Sequence, residues 1–272
     1  MEKRFIVLID FSEFSANILK YAGEWASQVN AELLLLHETQ IIIPALANQE
    51  NRQEIIKAAN DDATAKLITM SSTLVSKSIK VSWAATDENL LIVLNRLSMQ
   101  DYENLIFLGL KGTSMLKNIF LGSFTLEIIN KTSSTIVAIP QAIFRYTHEK
   151  IYVAVTDNIP LNTLAFFDFL KFIDPVNTSI TFFYLAKTQT KSIGMEKTLQ
   201  SLVELFATNY NTDYAIYESD APFDDIKRVI NNTIDEILVV QRGSRLLTDM
   251  LFRKFLINEL VYEGETPLII LP

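Results

Sequence analysis

Short runs of branched apolar residues alternate with longer stretches of helical periodicity, and this alternation passes along the chain twice. Apolar runs of this length suit strands buried on both faces, and helices between them are what a parallel sheet needs to return each strand to the same edge. In the first pass Phe5–Ile9, Leu33–Leu36, Ile79–Trp83, Leu105–Leu108 and Thr135–Ile139 read as strands. Ser12–Gln28, Gln49–Ser76, Asn89–Met99 and Phe124–Asn130 read as the helices between them. The first of these carries Phe14, Ile18, Tyr21, Ala22 and Trp25 at a 3.6-residue period, with Ser12 or Ser15 placed to cap its start. In the second pass Ile151–Val155, Ile180–Leu185, Tyr214–Tyr217, Ile237–Val240 and Leu268–Leu271 are the strands.

The two passes close alike, on Thr135-Ile-Val-Ala-Ile-Pro140 and on Pro267-Leu-Ile-Ile-Leu-Pro272, which marks an internal repeat. The expectation is an α/β fold of two tandem, open, mostly parallel five-stranded sheets flanked by helices, over residues 1–145 and 146–272. The boundary falls in Phe144–Glu149, where Arg145-Tyr-Thr-His-Glu-Lys150 reads as a polar break. A single doubly wound sheet of about ten strands is the alternative that the length allows.

Several function classes are excluded early. A net charge of −8, with no Lys/Arg cluster to offset it, opposes binding to a nucleic-acid backbone. The absence of cysteine rules out disulfide, thiolate and Cys-metal chemistry. No stretch offers the ~18 uncharged apolar residues of a spanning helix, and Met1–Asp10 runs into a strand without a small-residue cleavage site. No membrane association and a cytoplasmic location are therefore expected. The common nucleotide-hydrolase, dinucleotide, zinc-protease and esterase motifs are missing, and His37 and His148 are the only histidines. Asp61-Asp62 and Asp224-Asp225 read as solvated surface.

Of seven glycines, three fall close together as G-x-x-G-x9-G-S: Gly109 at a strand end, Gly112 in the loop, and Gly122-Ser123 at a helix start. A phosphate needs backbone N–H groups aimed at it without intervening Cβ atoms, and a helix N-terminus supplies such donors with a favourable dipole. Gly109 and Gly112 are expected to turn the chain with positive φ, and Thr125 to add a hydroxyl. Read singly, each is equally an ordinary turn or cap glycine.

The glycine pattern resembles the ATP-binding signature of the universal stress protein family. Val7-Leu-Ile-Asp-Phe-Ser-Glu-Phe-Ser15, Leu33-Leu-Leu-Leu-His37 and Ser123–Pro140 are similar to that family's opening strand and turn, second strand, and closing helix and strand. The resemblance covers the first half and extends more faintly over the second. It implies Asp10 as the adenine contact, with capping of the next helix as its other reading. It implies Gly109 and Gly112 beside ribose and phosphates, and Gly122, Ser123 and Thr125 on the phosphate tail of ATP with Mg2+ bridging the oxygens. The chain departs from the family at Leu8, where a proline is common, and at Glu38, where a small apolar residue is common; Glu38 either repels phosphate or hydrogen-bonds ribose.

In the second copy, aligning Gly243 with Gly112 sets Val240 at the first glycine position and Arg253-Lys254 at Gly122-Ser123, with Thr156 or Asp157 in place of Asp10. That half is then either a packing partner or, through Arg242, Arg253 and Lys254, a pocket for another anion. The resemblance implies a nucleotide-responsive regulatory module in stress response that signals to protein partners, with at most slow hydrolysis. A nucleotide-independent scaffold is the other reading. Because single domains of the family pair through their last strands, the two halves are expected to form an intramolecular pseudo-dimer, with a homodimer of the whole chain as a further possibility.

Overall fold

The computed structural model describes residues 1–42, 48–110, 123–141, 143–157, 159–186, 193–218, 236–243 and 266–272. The first half runs β1 (Glu2–Leu8), α1 (Ser15–Val29), β2 (Glu32–Glu38), α2 (Gln49–Leu74), β3 (Val81–Thr86), α3 (Leu90–Ser98), β4 (Tyr102–Gly109), α4 (Ser123–Lys131) and β5 (Thr135–Ile139). The second runs β6 (Lys150–Ala154), α5 (Thr163–Leu170), β7 (Ser179–Ala186), α6 (Ile193–Phe206), β8 (Asn211–Glu218), β9 (Glu236–Gln241) and β10 (Leu268–Leu271).

The strands form one sheet in the order β3-β2-β1-β4-β5-β10-β9-β6-β7-β8. Each half reads outward to the seam in the same sense, and all its described pairings are parallel. The halves join where β5 and β10 pair antiparallel, Ile269 opposite Val137. The two expected five-stranded sheets are thus continuous as ten strands. The last strands of both halves are buried along their whole length and apolar but for Thr135, so each satisfies its open edge with the other.

Alternation along the strands divides the core between two faces. Phe5, Val7, Leu33, Leu35, Leu105 and Phe107 pack beneath α1 on one face. Ile6, Leu34, Leu36, Ile106 and Leu108 pack with Leu90, Leu94 and Ile128 of α3 and α4 on the other. Over the seam the first face is held by Trp25, which is fully buried. Its indole N–H donates to the carbonyl of Phe172 at 2.8 Å, and its ring stacks on Tyr146 at 4.5 Å between centroids.

That contact corrects the polar break expected at Arg145–Lys150. Ile143 and Tyr146 are each only 3% exposed, and the Tyr146 amide donates to the Glu24 carboxylate at 2.8 Å. The connector is a packed strap, in which the half-buried His148 also rests on Tyr146, 4.7 Å between ring centroids, while Arg145 and Glu149 are exposed. Lys171 adds an ion pair to Glu103 at 2.7 Å across the same seam.

Element ends shift where turns intervene. Helix α1 begins at Ser15 because Ser12–Phe14 form a turn, and its N-cap, Phe14, makes no side-chain cap hydrogen bond. Neither Ser12 nor Ser15 caps it as expected. Strand β3 starts at Val81, since Ile79 closes a turn onto the Ser76 carbonyl.

Candidate functional site

A cleft of about 1020 Å³ lies at the carboxyl ends of β1, β2, β4 and β5. Strand order reverses between β1 and β4, so successive helices diverge to opposite faces there and leave a crevice, the usual ligand position in an open α/β sheet.

The chain leaving β1 shapes one wall. The Asp10 carboxylate accepts hydrogen bonds from the Ser12 amide at 3.0 Å and the Ser15 hydroxyl at 2.8 Å, tying the turn ahead of α1. Asp10 lines the cleft while organising that turn, rather than standing at the helix N-cap itself. Phe11 follows at φ 56°, a left-handed conformation that costs a non-glycine residue roughly 1–2 kcal/mol. The strained backbone turns the Phe11 ring onto the His37 imidazole, 4.4 Å between centroids. His37 Nδ1 is 2.7 Å from the Ile9 carbonyl; a carbonyl only accepts, so Nδ1 carries the proton. The histidine, expected simply as a strand-end residue, therefore locks the ends of β1 and β2 together at the cleft.

Beside it stands Glu38, the last residue of β2, half-buried and lining the cleft. Burial pushes its carboxyl above the ordinary value, and the nearby His37 pulls it partly back. Among the described residues no hydrogen-bond donor meets this carboxylate. The hydroxyl of Thr39 is buried with no partner among the described residues, so two polar groups at this end of the cleft are unmet by them.

Helix α2 supplies the outer wall. Its 26 residues span roughly 39 Å, against roughly 23 Å for the seven of β2, so it overhangs the sheet. Ala59, Asp62, Ala63 and Lys66 face the cleft from it, with Lys66 paired to Asp62 at 2.7 Å. Asp62, expected as solvated surface, is exposed but sits at the cleft wall.

Gly109 closes β4 opposite Ile139. A Cβ placed on it would stand 2.4 Å from Cδ1 of Ile18, so α1 packs flush against this strand end. Its φ is not left-handed, which corrects the expected turn; the missing side chain allows close approach instead. Ser123 and Thr125 lie in the first turn of α4, whose Ile128 reaches the cleft. Gly112 and Gly122 lie outside the described residues.

The matching end of the second half is built differently. Gln241 pairs with Leu271 as Gly109 pairs with Ile139, and the Arg242 amide bonds the Leu271 carbonyl as the Leu110 amide bonds that of Ile139. Gln241, not Val240, is therefore the counterpart of Gly109; matching the loop glycines displaced the alignment by one. Gln241 is only 7% exposed, its Oε1 accepting from the Asn162 amide at 3.0 Å and its Nε2 donating to the Pro272 carbonyl at 2.6 Å. Asn162 in turn caps α5 through the Ala165 amide. Where Ile18 of α1 packs onto Gly109, the second half carries a buried, hydrogen-bonded side chain.

The bond from the Val155 amide to the Phe183 carbonyl repeats that from Ile9 to Leu36, which sets Thr156 at the place of Asp10 and Leu185 at that of Glu38. Arg242 donates to the Thr132 carbonyl across the seam, so it ties the halves together. Arg253 and Lys254 lie outside the described residues, as do Asp224 and Asp225. No hydropathy signal marks Gln241 or Asn162; only the strand register finds them.

Fold and cleft define an open α/β-sheet protein with its crevice at the strand-order switch. A sequence model described as the Universal stress protein family matches residues 1–140, and the chain belongs to that family. The chain is also similar in fold to a universal stress protein from Archaeoglobus fulgidus DSM 4304, at 16% identity and a TM-score of 0.65 over 98% of this chain and 97% of that one. A putative universal stress protein from Pseudomonas aeruginosa UCBPP-PA14 gives 14% identity and 0.58 over 99% and 93%. A functionally unknown protein from Pseudomonas aeruginosa PAO1 gives 14% and 0.56 over 99% and 92%. No curated protein matches the chain in sequence. Among the described residues, no helix is long and apolar enough to cross a membrane.

Proposed function

We propose that the chain is a cytoplasmic nucleotide-responsive module whose first half, residues 1–145, binds ATP, while the second, 146–272, serves as its packing partner. The observation that carries this reading is the open crevice at Gly109, where α1 abuts a strand end free of side chain at the point where such sheets take ligands. The residues present fit a nucleotide: a Thr39 hydroxyl and a Glu38 carboxylate that no described residue hydrogen-bonds line the same cleft as Asp10. The first turn of α4 offers backbone N–H groups to phosphate. Among the described residues no three His, Asp or Glu side chains converge on a metal position, so Mg2+ enters this reading as the counter-ion of the phosphates.

In this reading ATP binding shifts a surface that protein partners recognise, in the chain alone or in a homodimer, and turnover is no part of the role. Calorimetric titration of Mg-ATP tests it, beside a Gly122→Val variant. Binding that is lost in the variant supports the reading. No heat at millimolar ATP in the unmodified protein overturns it in favour of a nucleotide-independent scaffold, a role that the filled crevice at Gln241 already favours for the second half.

A further inference from the structure

We infer that Glu38 is the ribose-recognition residue of the cleft, its carboxylate accepting hydrogen bonds from the two vicinal hydroxyls of a ribonucleotide. The inference rests on the nucleotide reading above and adds the part of the ligand that this chain selects. It starts from topology. The first half has the order β3-β2-β1-β4-β5, with a crevice between β1 and β4. In dinucleotide-binding sheets an acidic side chain beyond the first crossover hydrogen-bonds the ribose, and a carboxylate with free lone pairs facing this crevice can hold the same hydroxyls. Glu38 is the last residue of β2 and lines the crevice.

Its surroundings leave it available for that task. Asp10 is engaged by Ser12 and Ser15, and Asp62 by Lys66, whereas no described residue donates to Glu38. Partial burial makes an unsatisfied carboxylate costly and raises its pKa, an effect that two hydroxyl donors would reverse. Its backbone position is fixed on both sides: His37 is bonded to the Ile9 carbonyl, and the Thr39 amide donates to the Thr86 carbonyl at 2.7 Å. The second half carries Leu185 at the equivalent position, where Gln241 fills the crevice and no sugar has to be read.

The test compares Mg-ATP with Mg-2′-deoxy-ATP and Mg-3′-deoxy-ATP by calorimetry on the whole chain, in the unmodified protein and in Glu38→Val and Glu38→Gln, with melting curves to verify folding. The expected result is about tenfold tighter binding of ATP than of either deoxy analogue, as the loss of one charge-assisted hydrogen bond implies. In Glu38→Val that preference disappears, because ATP and both deoxy analogues alike lose the carboxylate. Equal binding of ATP and its deoxy forms by the unmodified protein overturns the inference and leaves the nucleotide reading standing. So does a preference that survives in both variants, or a Glu38→Val protein that binds all three more tightly by one common factor, the mark of a carboxylate that only repels phosphate. No binding of any of the three by the unmodified protein overturns the nucleotide reading, and the inference with it.

Discussion

Gly109 and Gln241 occupy equivalent places in the two halves, each the last residue of a strand and each paired to the last residue of a seam strand. One leaves space into which α1 and a cleft can close; the other fills that space and bonds both the start of α5 and the final residue of the chain. The sheets around them share strand order and apolar filling, so shared architecture does not decide which half holds a crevice. Among the described residues the difference lies in the side chain at the strand end. In the proposed reading the halves therefore differ in function where they are least distinguishable in fold.

The largest predicted effect tests whether this difference can exist without separating the halves physically. Trp25 belongs to the first half but rests on Tyr146, Phe169 and the Phe172 carbonyl. Trp25→Ala should cost about 3–5 kcal/mol, as emptying a fully buried aromatic site does, measured from the urea midpoint. Both halves should melt together; a variant that unfolds in two steps would show that the seam is dispensable. Next in size, Gln241→Ala leaves the Asn162 backbone amide without its acceptor and the Pro272 carbonyl with only the longer bond from Asn162 Nδ2, and should destabilise by about 1–3 kcal/mol. A neutral result would mean that the filled crevice is not held by those bonds.

The smallest effect concerns Glu38, for which the second half has Leu185. Burial raises the pKa of Glu38 in the folded protein, so the native state holds that proton more tightly than the unfolded chain does. Ionised Glu38 therefore subtracts stability above its folded pKa, and the penalty fades as pH falls towards the ordinary value of 4.5. Glu38→Gln should melt slightly higher than the parent at pH 7 and equally at pH 4, in melts without nucleotide. A gain that is independent of pH would assign the effect to packing.

Much of this was legible in the residues. Strands dominated by branched apolar residues, such as Thr135–Ile139 and Leu268–Leu271, stand out by composition, and α1 by its period. The matched closings showed the repeat, and the resemblance supplied the pairing of last strands that β5 and β10 display. Gly109 stands out by residue type, but its φ cannot be read from that type, and its neighbour Ile18 comes from another element. The strap at Tyr146 looked polar because its partner Trp25 is more than a hundred residues away. Gln241 was passed over for Val240 because the alignment followed loop glycines, whereas the hydrogen-bond register of the sheet counts residues from the strands themselves.

The difference between the halves is tested most directly by counting ATP sites per chain, by calorimetry with Mg2+, in the unmodified protein and in Gly109→Gln. The glutamine reproduces in the first half what already fills the second, and Ile18 Cδ1, the far end of a flexible side chain, is the atom that must move aside. One site per chain, lost in Gly109→Gln while the melting curve stays cooperative, is the predicted result. Two sites in the unmodified chain, or one that survives the glutamine unchanged, would contradict it.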